Sequence, residues 1–103
     1  MIEQSTITSD DGGGIMIEGA MTFSTANQLL ADSRAYFASQ SELLIDLTKV
    51  AQADSAGVAL LVEWLRIAKC QQVALHFRNI PTQMWAIIEV SGLEERLPLV
   101  NAT

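Results

Sequence analysis

Two short apolar runs flank one long apolar segment, and that arrangement leaves few folds open. Residues 42–47 (ELLIDL) and 73–77 (VALHF) are too short for stable helices and read as buried strands. Between them, residues 55–70 repeat apolar side chains at three- and four-residue spacing, which is the period of a helix. Strand, helix and strand in that order imply a right-handed crossover within one sheet. The alternation extends outward. Residues 23–38 carry Ala26, Leu29, Leu30, Tyr36 and Phe37 on one helical face, with Thr22 or Ser24 as the expected cap. Residues 81–90 read as a third helix, with Pro81 near its first turn and Gly92 just past its end. Residues 93–97 are expected to add a helical turn or a strand edge. At the other end, residues 3–8 and 15–18 flank the run 10–14 (DDGGG), where acids followed by glycines suit the tight turn of an antiparallel hairpin. The order is β-β-α-β-α-β-α. The expected fold class is α/β: a mixed sheet of four to five strands with three to four helices mainly on one face. Part of the other face is left to water or a partner.

Composition narrows the function. A chain of 103 residues makes one ordinary domain, and half of its residues are apolar, enough to build a core. Twelve acids against six bases give a net charge of −6. The bases Arg34, Lys49, Arg66, Lys69, Arg78 and Arg96 are scattered, which argues against a nucleic-acid face and against a polybasic membrane anchor. Cys70 is the sole cysteine and reads as a small buried hydrophobe. With one histidine, His76, no two-histidine metal site can form. The first residues show neither a basic n-region nor an apolar h-region, and no run is long enough to span a bilayer. A cytoplasmic protein is expected.

The segment between the third strand and the second helix carries the most chemical information. It is read as a loop from Asp46 through Thr48, Asp54, Ser55 and Ala56 to Gly57. Ligand sites in such sheets gather at the carboxyl ends of strands. Ser55 stands where a helix begins, so unpaired N–H groups and the positive end of the helix dipole could hold a phosphate there. The simpler reading is that Asp54 or Ser55 is an N-cap. No base accompanies Ser55, neither G-x-S-x-G nor a phosphate-cradling GxxxxGK is present, and an enzyme is not expected.

The second helix carries two apolar stripes. Val58, Leu61, Val62, Leu65 and Ala68 form one; Leu60, Trp64 and Ile67 form the next. One should face the sheet. The other must meet a neighbouring helix or another protein, and Trp64 tilts the reading towards an interface of Leu60, Trp64 and Ile67.

Asp46-Leu47-Thr48 closing a strand, then Asp54-Ser55-Ala56-Gly57 opening an apolar helix, resembles the STAS domain family. That family includes bacterial anti-sigma factor antagonists and the cytoplasmic tails of sulfate transporters. The resemblance runs from the hairpin to Leu97. Within the family, the stretches Gly19–Thr25, Glu63-Trp64-Leu65-Arg66, Asn79-Ile80-Pro81 and Val90-Ser91-Gly92-Leu93 are most similar to a subgroup that serves phospholipid transporters. Thr22 stands where sigma-regulating members usually carry an acid, and Ala56 where Ser or Gly is frequent. The resemblance implies a non-catalytic subunit without a cofactor. It would bind the ATPase of an ABC transporter that maintains outer-membrane lipid asymmetry, and be peripheral to the inner membrane only through that partner. Ser55 would lie in the partner interface, with Thr48, Asp54, Ala56 and Gly57 around it. The alternative implied is an anti-sigma factor antagonist that a serine kinase phosphorylates at Ser55.

Overall fold

The structure, a computed structural model, describes residues 4–10 and 12–100. Eight elements follow the chain: β1 (Ser5–Ser9), β2 (Ile15–Met21), α1 (Ala26–Ser39), β3 (Glu42–Ala53), α2 (Ser55–Gln71), β4 (Ala74–Arg78), α3 (Thr82–Val90) and β5 (Leu99–Val100). The five strands lie in sequential order, with β1 antiparallel to β2 and every other pair parallel. From β2 to β5 each crossover steps the same way across the sheet. Right-handed crossovers that all step one way place all their helices on one face.

Burial agrees with that geometry. Ile15 and Ile17, Leu43, Ile45 and Leu47, and Leu75 and Phe77 point to the helices and are buried. Met16 and Glu18, Leu44, Asp46 and Thr48, and Ala74, His76 and Arg78 alternate with them and line the open face, half-buried or exposed. The expected mixed sheet with helices on one face is therefore the observed fold.

The hairpin turn forms as the DDGGG run requires. Asp10 Oδ1 accepts from the N–H groups of Gly12 at 2.9 Å and Gly14 at 2.8 Å, and Gly13 takes a φ of 86°. Of the expected first strand, Glu3 lies outside the described residues. Several boundaries move. The second strand runs to Met21, three residues past its expected end at Glu18. The first helix begins at Ala26 rather than Phe23, because residues 22–25 form a turn of their own. The Thr25 hydroxyl donates to Ala20 O at 2.8 Å and accepts from Thr22 N at 3.0 Å, and the N-cap position falls to Thr25, without a side-chain cap bond, rather than to Thr22 or Ser24. The third strand continues to Ala53, six residues past its expected end. Its pairing with β2 slips twice, Met16/Glu18 against Asp46/Lys49 and Gly19/Ala20 against Val50/Gln52, so β3 carries an extra residue at each slip. The tail makes a turn at residues 94–96 and only then the short β5. Pro98 O accepts from Phe77 N at 2.8 Å.

Two expectations about α2 fail. Leu60, Trp64 and Ile67 are not a docking stripe: they are 4%, 0% and 4% exposed and belong to the core. The helix turns the arc Gly57, Leu60, Leu61, Trp64, Ile67 and Ala68 inward, and α1 packs on it. Trp64 Nε1 donates to Ser33 Oγ at 2.8 Å, and Ser33 Oγ donates to Leu30 O at 2.8 Å. The apolar surplus lies instead at Val62, exposed, and Leu65, half-buried. Cys70 is exposed, because it shares the outer side of α2 with Arg66. Among the described residues no helix is long and apolar enough to cross a membrane.

The Trp64–Ser33 bond carries a testable cost. Ser33→Ala leaves the buried indole N–H without its acceptor, worth about 1–3 kcal/mol. In a domain of this size that lowers Tm by roughly 4–8 °C per kcal/mol. In thermal unfolding followed by circular dichroism, the double variant Ser33→Ala with Trp64→Phe should lose less than the two single losses added together.

Candidate functional site

The end of β2, the end of β3 and the start of α2 meet at one joint. Met21 O, closing β2, accepts from Asp54 N at 3.2 Å. Asp54 is the N-cap of α2, and its Oδ1 accepts from Ala56 N at 2.8 Å. Its Oδ2 accepts from Phe23 N at 3.2 Å, so one carboxylate holds both the helix start and the 22–25 turn. Gly57 is buried against β2. A Cβ there would lie 2.4 Å from Met21 O and 3.1 Å from Met21 Cβ, so only glycine lets α2 sit this close. Ala53 N donates to Gln83 Oε1 at 3.0 Å, which ties the first turn of α3 to the same joint.

The expected site residues therefore separate by role. Asp54 caps, Gly57 makes the close approach, Ala56 is half-buried and Ser55 is exposed at the first position of the helix. Thr48 belongs elsewhere: it lies in β3, not in a loop, and is bonded on the open face rather than to Asp54 or Ser55. Its N–H (2.9 Å) and hydroxyl both donate to Asp46 Oδ1, and Asn79 Nδ2 donates to Thr48 Oγ1 at 2.7 Å and to Asp46 Oδ1 at 3.2 Å. Burial pushes the Asp46 carboxyl up. The bonds from Thr48 and Asn79 and the Arg78 charge outweigh it and hold the carboxyl below its ordinary value.

Phe23 enters the sequence reading only as part of the entry to the first helix, not as a site residue. It is 85% exposed, one turn of chain from the joint, and its N–H is bonded to Asp54. Beside it runs a shallow groove of about 250 Å³ lined by Phe23, Ala26, Leu30, Ala56, Ala59 and Glu63, with Leu60 reaching its floor. Reading residues 23–38 as a helix counted Phe23 as its first residue. The hydroxyls of Thr22, Ser24 and Thr25 around it were the available sign of a turn. On the outer side of α2, Arg66 pairs with Glu63, which lowers the Glu63 pKa and raises that of Arg66. His76 lies exposed on the open face of β4, away from the core side of the sheet. What the joint offers is an exposed hydroxyl at a helix N-terminus, an exposed aromatic ring and an apolar groove.

A family model described as "Mlab, STAS domain" matches residues 6–101. The chain belongs to the STAS domain family. No curated protein matches the sequence. Among solved structures, the anti-sigma factor antagonist SpoIIAA in its unphosphorylated form superposes with a TM-score of 0.73 at 15% identity, covering 97% of this chain and 89% of that one. The Bacillus cell fate determinant SpoIIAA in its phosphorylated form gives 0.70 at 16% identity, covering 97% and 92%. An anti-sigma factor antagonist from Mycobacterium paratuberculosis gives 0.74 at 22% identity, covering 98% and 86%. At these identities the likeness is one of fold.

Two outcomes are expected. Asp54→Ala removes the cap and the hold on Phe23 and should cost about 0.5–2 kcal/mol. Asp54→Asn keeps one accepting oxygen and should cost less, as read by urea unfolding. Asp46, whose folded pKa is lowered, stabilises the fold above its unfolded value near 3.8 and loses that contribution as pH falls through the folded value. The stability gap between the native chain and Asp46→Asn should therefore narrow between pH 6 and pH 3 in the same assay.

Proposed function

We propose that the chain is a non-catalytic STAS subunit of the MlaB kind. It binds an MlaF-like ATPase of a phospholipid-transporting ABC complex and supports that complex in keeping the outer membrane asymmetric. It acts in the cytoplasm and reaches the inner membrane through this partner, without inserting into the bilayer, binding nucleic acid or needing a cofactor. The observation that carries the reading is Phe23, whose ring is exposed and whose backbone N–H is bonded to Asp54, the residue before the exposed Ser55. A large rigid aromatic at the edge of an apolar groove is what a protein interface uses as an anchor. The description of the matching family model supports the same role. So does Thr22, which stands where the sigma-regulating branch usually has an acid.

The second reading is an anti-sigma factor antagonist switched at Ser55 by a serine kinase. It is favoured by the similarity to SpoIIAA, known in unphosphorylated and phosphorylated forms, and by the exposure of Ser55 at a helix start. The two readings share the docking surface and differ in who docks.

Affinity purification of the tagged chain from its own cells, with partners identified by mass spectrometry, separates them. Recovery of an ABC ATPase with its permease is the expected result. Recovery of a serine kinase, with a phosphate mass on Ser55 after incubation with ATP, would assign the second reading. For the recovered partner, Phe23→Ala and Ser55→Glu are each expected to weaken binding by about tenfold or more while the circular dichroism spectrum is kept. Unchanged affinity for both variants would remove this face from the interface.

A further inference from the structure

Three of the chain's six cationic side chains meet at one place, well along α2 from the Ser55 end. Arg66 and Lys69 on α2 and Arg96 in the turn after α3 rim a groove of about 290 Å³. Its floor is aliphatic: Val62 and Leu65 from α2, Leu93 and Leu97 from the tail. This is where the apolar surplus of α2 surfaces, Val62 being 41% exposed. The acids nearby are Glu63, which is bonded to Arg66, and Glu94 and Glu95, which precede Arg96 in the exposed turn. Among the described residues neither Lys69 nor Arg96 has an ion-pair partner. Lys69 also answers the negative end of the α2 dipole, but Arg96 on the opposite wall answers no helix end.

An aliphatic floor under unpaired cations, in a chain of net charge −6, fits a ligand with the opposite layout. The groove, about 290 Å³ and open to solvent, is sized for one medium-length chain rather than a two-chain lipid. We propose that it binds a single-chain anionic amphiphile, a medium-chain carboxylate. The tail would lie on Val62, Leu65, Leu93 and Leu97, and the head between Lys69 and Arg96. A guanidinium and an ammonium flank one carboxylate at no cost in buried unpaired charge, since the rim stays wet. The floor, Val62, Leu65, Leu93 and Leu97, has no polar side chain to select a polar ligand.

Titration with decanoate below its micelle concentration, by calorimetry and by methyl chemical shifts, tests this. Saturable one-to-one binding is expected, with shifts at Val62, Leu65, Leu93 and Leu97. From hexanoate upward each added methylene should tighten binding about fourfold, levelling off once the chain outgrows the groove. The double variant Lys69→Gln with Arg96→Gln alters exposed side chains only and should bind at least tenfold more weakly while its circular dichroism spectrum is kept. Decyltrimethylammonium, of the same tail length and opposite charge, should not bind. The proposal is overturned by no saturable binding, by equal binding of the cation, by undiminished binding to the double variant, or by shifts centred on the Phe23 groove. Tight binding of an acidic amphipathic peptide where decanoate fails would assign the groove to a protein instead.

Discussion

Met21 ends its strand with a carbonyl that two other segments need. Asp54 donates its N–H to it, and Gly57 lies so close above it that a methyl group would collide. That contact sets how far down onto the sheet α2 can settle. It fixes in turn where the Asp54 carboxylate falls, and Asp54 then gathers the first helical N–H groups and the Phe23 turn. Among the described residues Ser55 makes no side-chain hydrogen bond that would hold it in place. Its position follows from the residue before it and the glycine two places after it. The four residues Asp54 to Gly57 thus divide into two that build the joint, one that rests on it and one that is presented.

The crossover core was legible because it rests on periodicity. Alternation in β4, helical spacing in α2 and the glycine turn of the hairpin each have a physical period or a backbone requirement that sequence displays directly. The second half of β3 has neither. Its two bulges break the alternation, so Thr48 and Lys49 are both exposed, as are Ala51 and Gln52, and a strand reads as a polar loop. Thr48 was drawn towards Ser55 for that reason, although its hydroxyl is tied to Asp46 and Asn79.

The surplus on α2 misled in a different way. An arc as wide as this one shows that two surfaces must cover the helix, but not which two. Ser33 decided it. A serine in the middle of α1 gives no apolar signal, yet it is fully buried and supplies the acceptor that lets the Trp64 indole lie between the helices. Once α1 takes that side, Val62 and Leu65 are the apolar groups left over, and Cys70 is carried outward with Arg66. A polar residue that completes a buried aromatic is visible only when its partner is known.

All three helices pack on one side of the sheet, so every second strand residue answers to no core. Glu18, Ala74 and His76 lie outside the core packing, whereas their immediate neighbours Ile17, Leu75 and Phe77 do not. Where the alternation holds, mutation therefore meets two regimes residue by residue along the strand. Lineages that diverge across the open face can acquire new contacts there without rebuilding the interior, and a family can drift to low sequence identity while its backbone stays superposable.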